Sequence, residues 1–135
     1  MSKVNVFDTS AVLAHLQQEK GRERVEAALE EGSCLMSTVN LCEVLGKLCE
    51  KGMPEEEARI TVDELGLTIV NFDSELAAIA AFLKVRTKPL GASLGDRACL
   101  ALAQQAKQNK VVPVVITAEH AWTRIGWPFK IAVIR

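Results

Sequence analysis

Short β-prone runs recur along this chain at residues 3–7, 34–37, 67–70 and 111–116, and helical periodicity fills every interval between them. That alternation limits the fold more than any other feature. Neighbouring parallel strands need a crossover of a dozen or more residues, and a helix is the usual connection. Short apolar strands separated by helices therefore predict a twisted sheet with helices on both faces. The expected fold class is α/β, a three-layer α/β/α arrangement around a central, mostly parallel sheet of four to five strands. Residues 131–134 supply a closing edge strand, and the 135 residues make one domain spanning 1–135.

Local signals place the helices. Asp8-Thr9-Ser10 precedes Ala11-Val12-Leu13-Ala14 as a helix start, and Gly21 separates that helix from a second at 22–31. Thr38 and Asn40 are candidate caps for a helix at 41–50, and Pro54 opens the next, at 55–65. Asp73-Ser74-Glu75 starts a helix reaching about residue 85, and 87–95 reads as loop. Gly91 and Gly95 permit a tight turn there, before a buried helix from Asp96 to about Asn109. Thr117-Ala118-Glu119 begins a short helix through Trp122.

Composition narrows the chemistry. Net charge is −1, from 16 basic and 17 acidic residues, so nucleic-acid binding needs a local patch or a metal rather than the global field. No apolar run is long enough to cross a bilayer, and Met1-Ser2-Lys3 leads into the first strand without a secretory h-region, which predicts a cytoplasmic protein. Cys34, Cys42, Cys49 and Cys99 lack metal-binding spacing and read as reduced thiols.

In folds of this kind, ligands gather outside the carboxyl ends of the strands, where the winding order reverses. Asp8 immediately follows the first run, and Glu119 follows the fourth after two residues. Glu43 lies in the early turns of the helix after the second run, and Asp96 starts the helix before the fourth. All four carboxylates are expected on one rim. Crowded carboxylates repel, and one takes up a proton unless a cation intervenes. Oxygen ligands without Cys or His favour Mg²⁺ or Mn²⁺, which orient water for attack on a phosphodiester.

Each acid also has a plainer reading. Asp8 and Asp96 serve as helix caps, Glu119 as an acid favoured by a helix start, and Glu43 as a solvated helix residue. Arg86, Lys88, Arg97 and Arg124 are candidates to line an RNA path, or are ordinary surface charges. Trp122 and Trp127 offer stacking or packing surfaces.

The segments Val-Phe-Asp8-Thr9-Ser10-Ala-Val-Leu-Ala, Ser37-Thr-Val-Asn40-Leu-Cys-Glu43-Val, Ser93-Leu-Gly-Asp96-Arg-Ala-Cys-Leu-Ala-Leu-Ala and Thr117-Ala-Glu119-His-Ala-Trp122 resemble, in order, the motifs of PIN-domain ribonucleases, most closely the VapC toxins of toxin–antitoxin pairs. The resemblance covers essentially the whole chain. It implies a Mg²⁺- or Mn²⁺-dependent endoribonuclease, a homodimer, and a VapB-type antitoxin partner. It makes Asp8 and Asp96 the principal metal ligands and Glu43 the third acid, with Thr9 and Thr117 as hydrogen-bonding supports. Glu119, the implied fourth acid, departs from the family pattern, where aspartate followed by arginine is more usual.

Rival readings fare less well against the residues. A phosphotransferase with an Asp-x-Asp nucleophile would need a second aspartate where Ser10 stands, and a phosphoacceptor receiver would need one at the end of the third strand, before Asp73. An interaction module that keeps the fold without catalysis is the alternative of a different class.

Overall fold

The apolar runs form the strands that their composition implies. The computed structural model describes residues 2–135, so Met1 lies outside the described part. Among the described residues, β1 (Lys3–Phe7), β2 (Ser33–Ser37), β3 (Thr68–Val70), β4 (Val112–Thr117) and β5 (Lys130–Val133) build one sheet in the order β3-β2-β1-β4-β5. Every pairing is parallel, with Val6 opposite both Leu35 and Val115, and Val115 opposite Ile131. The helices are α1 (Thr9–Leu16), α2 (Arg22–Leu29), α3 (Thr38–Glu50), α4 (Glu55–Asp63), α5 (Ser74–Thr87) and α6 (Leu94–Gln108).

Alternation along β1 divides the core in two. Phe7 packs with Ala11, Val25, Met36, Val44 and Ile116 on the side covered by α1 to α4. Val4 and Val6 face the opposite way, onto Leu76, Leu100, Val115 and Trp122. Fully burying one such large side chain contributes roughly 1.5–3 kcal/mol, so both faces of the sheet must stay covered. The outer surface of α5 breaks the pattern, since Phe82 and Val85 there are 79% and 84% exposed.

The winding places a crevice. β2 and β3 build outward on one side of β1, and the chain then crosses back to lay β4 on the other side. The switch therefore falls between β1 and β4, and Asp8 continues that ladder through its N–H to the Ile116 carbonyl at 3.0 Å.

Of the boundaries that differ from the expected ones, three lie near the crevice. α3 starts at Thr38, because Ser37 is its cap and accepts a hydrogen bond from the Val39 N–H at 3.2 Å. Asn40 is thereby free of capping and turns fully inward. α6 starts at Leu94 behind a Ser93 cap, which puts Gly95 inside the helix rather than in the loop. Residues His120–Arg124 form a 3-10 turn where a short α-helix was expected.

Gly21 joins α1 to α2 with φ +94°, and a β carbon there would stand 2.6 Å from the Ile134 carbonyl oxygen. Gly21→Ala should thus combine left-handed backbone strain of about 1–2 kcal/mol with overpacking of about 1–3 kcal/mol. Urea unfolding is expected to register a loss of at least ~2 kcal/mol; a loss near zero would mean that the turn relaxes away from β5.

Candidate active site

Asp8 ends β1 at the N-cap position of α1, yet its side chain caps no helix N–H. The carboxylate instead receives the Ser10 hydroxyl at 2.7 Å and the Thr117 hydroxyl at 3.0 Å on Oδ2, inside the crevice. Only 2% of the residue is exposed. Burial pushes its carboxyl up to about 7; the Ser10 hydroxyl opposes that shift, the Asp96 charge reinforces it, and the Thr117 hydroxyl and Thr9 N–H oppose it further.

The same hydroxyls fix the loop after β4. Ser10 Oγ accepts the Ala118 N–H at 3.0 Å, and Thr117 Oγ1 accepts the Glu119 N–H at 3.0 Å. Glu119 is held at the rim through its backbone while its side chain stays exposed.

Glu43 projects from α3 toward the same opening. Its Oε1 accepts the Thr9 hydroxyl at 2.5 Å and lies 3.4 Å from Asn40 Nδ2. That amide also donates to Thr9 Oγ1 at 3.0 Å and to the Gly95 carbonyl at 3.1 Å, so one buried side chain ties α3 to α1 and α6. A β carbon at Gly95 would fall on the Glu43 carboxylate, which makes the absence of a side chain there part of the slot.

Asp96 sits in the first turn of α6. Its Oδ2 accepts the Ser93 N–H at 2.9 Å while Ser93 Oγ accepts the Asp96 N–H at 3.2 Å, a reciprocal capping box. The capping reading thus holds for Asp96 and fails for Asp8.

Asp8, Glu43, Asp96 and Glu119 line one open cavity of about 520 Å³, together with Thr9, Ser10, Lys47 and Glu50. Lys47 is the cation among its lining residues, and it lies 3.6 Å from the Glu50 carboxylate. Negative charge dominates. Cys99 lies beneath; its own burial, with the Asp8, Asp96 and Glu43 charges, keeps its thiol protonated and inert.

Other candidates lie elsewhere. Arg97 turns away from the cavity and donates to the Ala80 carbonyl of α5 at 3.0 Å. Arg124 is exposed at the end of the 3-10 turn and does not line the cavity. Trp122 is 2% exposed in the core. Trp127 stacks on Phe129 at 5.5 Å and carries the Arg86 guanidinium 4.6 Å from its ring.

The sequence reasoning passed over Ser10, Gly95 and Asn40 as parts of this site. Asn40 stands three residues before Glu43, hence on the same helix face, which was a usable signal. Gly95 inside a helix costs about 1 kcal/mol relative to alanine, and such a glycine commonly marks a close approach.

Residues 6–128 match the sequence pattern described as the PIN domain. The chain belongs to the PIN-domain family. This family is one of nucleases. No curated protein matches this PIN domain in sequence. Its fold is similar to that of the toxin–antitoxin complex from Klebsiella pneumoniae, at 19% identity and TM-score 0.67 over 100% of this chain and 98% of that one. It is also similar to VapBC2 from Rickettsia felis bound to a promoter DNA fragment, at 16% identity and TM-score 0.65 over 98% and 99% of the two chains. A further similar fold is VapBC-5 from Mycobacterium tuberculosis, at 20% identity and TM-score 0.60 over 98% of each chain.

Proposed function

We propose that this PIN domain is a VapC-type toxin, an endoribonuclease that uses Mg²⁺ or Mn²⁺ and is restrained by a VapB-type antitoxin. The observation that carries the reading is the acid-lined cavity at the point where the strand order reverses. Among the described residues, no three Asp, Glu, His or Cys side chains stand close enough to enclose a bare ion. The donor set nevertheless fits a hard, hydrated cation: its oxygens are carboxylates and hydroxyls, and Mg²⁺ keeps several of its own waters. Burial, reinforced by the Asp96 charge, raises the Asp8 carboxyl to about 7, and a cation beside it would favour the ionised form.

Asp8, Glu43 and Asp96 would hold the ion, with Glu119 at the rim as the fourth acid. The bound ion supplies a water activated for attack on phosphorus and charge neutralisation at the phosphate. Asp8 would hold the ion as its carboxylate, the form that a neighbouring cation favours. Ser10 and Thr117 keep the Asp8 carboxylate aimed into the cavity, and Thr9 and Asn40 fix the Glu43 rotamer, so little reorganisation is needed once RNA arrives.

Full-length overlap with the VapBC folds supports the antitoxin partner. The exposed Phe82 and Val85 support a homodimer that covers the outer face of α5. No helix among the described residues is long and apolar enough to cross a membrane, and a cytoplasmic location is part of the proposal.

Incubating the protein with mixed RNA in Mn²⁺ or in chelator tests the chemistry, and Asp96→Asn tests the site. Wild type should cut only with Mn²⁺ and the variant should not cut. Melts should show wild type gaining roughly 2.7 kcal/mol at a hundredfold excess of Mn²⁺ over its dissociation constant, with a much smaller gain in the variant. Equal metal-induced shifts would return Asp96 to the role of a helix cap.

A further inference from the structure

We propose that a second groove on the same rim binds a neighbouring phosphate of the RNA strand. This inference rests on the endoribonuclease reading and extends it to how the substrate is held. The groove, of about 560 Å³, is lined by Lys20, Arg24, His120 and Arg135, with Gly21 and Ile134 where the α1–α2 turn meets the end of β5.

Two of its cations are built into the fold rather than loose in solvent. Arg24 donates one Nη1 hydrogen to the Val133 carbonyl at 3.1 Å, and Arg135 donates one to the Lys20 carbonyl at 3.0 Å. These bonds cross-brace the α1–α2 turn and the end of β5, and the missing side chain of Gly21 is what lets the two segments meet. A guanidinium held by one N–H still presents the others in a fixed fork, the geometry that fits phosphate oxygens. Prior ordering lowers the entropy lost on binding.

Acidic neighbours are already engaged. Glu23 lines the groove, and its carboxylate lies 3.5 Å from Arg22 Nε; Arg135 lies 3.7 Å from Glu19. Positive charge is left in excess beside a cavity dominated by carboxylates.

Position selects the ligand. His120 lines the groove, and Glu119, one residue earlier, lines the acidic cavity. Thr117, which binds Asp8, is three residues from His120, so their Cα atoms lie within about 11 Å. A strand with its scissile phosphate at the acids can therefore reach this groove with a neighbouring phosphate. The net charge of −1 gives the rest of the surface no general attraction for RNA, so a local patch must supply it.

The test measures binding of a short single-stranded RNA by fluorescence anisotropy in chelator, from 50 to 200 mM salt, for wild type, Lys20→Gln and Lys20→Gln/Arg24→Gln. Among the described residues Lys20 makes no side-chain hydrogen bond or ion pair and only its carbonyl is bonded, so its variant separates charge from folding. The double variant should bind about tenfold more weakly, with log K against log salt shallower by about 0.7 per lost contact. In Mn²⁺ the KM should rise while kcat at saturation holds. Unchanged affinity and salt slope in both variants would overturn the groove while leaving cleavage by wild type intact. Salt-dependent, variant-sensitive binding without any cleavage would instead refute the nuclease reading and keep the groove. A glutamate-rich peptide whose binding falls in the variants while RNA binding does not would assign the groove to an acidic protein and overturn the proposal.

Discussion

Without metal at pH 8, Asp8→Asn protein is expected to melt above wild type while cutting no RNA. The folded carboxyl of Asp8 lies at about 7 against an ordinary 3.8. Its folded value is the higher one, so the folded state binds more protons between these limits. Stability from this group is complete below about pH 4 and is lost as pH rises through about 7. Above that, an ionised Asp8 lowers stability by about 4 kcal/mol at most, taking ~1.4 kcal/mol for each pH unit of the shift. The amide keeps the size and carries no charge. Its extra N–H donors need partners in a buried site, which limits the expected gain to about 1–2 kcal/mol. Melts from pH 4 to 8 in chelator should therefore fall for wild type and stay much flatter for the variant. Parallel curves would place the pH dependence in another group. Cleavage should drop by more than the ~10–100-fold typical of losing a partner outside the ligand set, because the proposed site makes Asp8 a ligand itself.

Gly95→Ala should abolish cleavage without touching an acid. A methyl inside an exposed helix ordinarily adds about 1 kcal/mol of stability over glycine. Here it would occupy the space of the Glu43 carboxylate, which has to leave its bonds to Thr9 and Asn40. The variant is expected to fold, to lose at least ~100-fold in rate (about 2.7 kcal/mol of barrier), and to lose most of its Mn²⁺-induced stabilisation. Gly46→Ala, also at the cavity but where a β carbon on α3 meets nothing within 4 Å, is the comparison for a helix methyl that does not clash. A Gly95→Ala protein as active as wild type would mean that Glu43 works from another rotamer or not at all.

The strands, their alternation with helices and the strand-end placement of Asp8 and Glu119 were legible because apolar runs and cap residues are local signals. What escaped was non-local. Whether Asp8 caps α1 depends on Thr117, which is 109 residues away and supplies a competing hydroxyl. Thr38 and Asn40 looked like caps because both types cap well, but Ser37 took the role and Asn40 was drawn to Thr9 and Gly95. Arg97 follows Asp96 in a motif that points toward the site, yet one residue along a helix turns a side chain through about 100°, and it reaches α5 instead. The basic groove joins residues 20–24 to residues 120–135, a neighbourhood that only the tertiary fold creates.

The order of the sheet also governs when the acid-lined cavity can assemble. β4 lies beside β1 in space but follows all six helices in the chain, and without it Asp8 lacks Thr117 and the crevice has one wall. The acids at 8, 43, 96 and 119 come from four separate stretches, and Glu119 joins the others only when that strand inserts. A chain without β4 therefore lacks both Glu119 at the rim and the Thr117 hydroxyl on Asp8. Under the proposed toxin reading, harm starts with completed folding, when a finished surface also exists for the proposed antitoxin to grip.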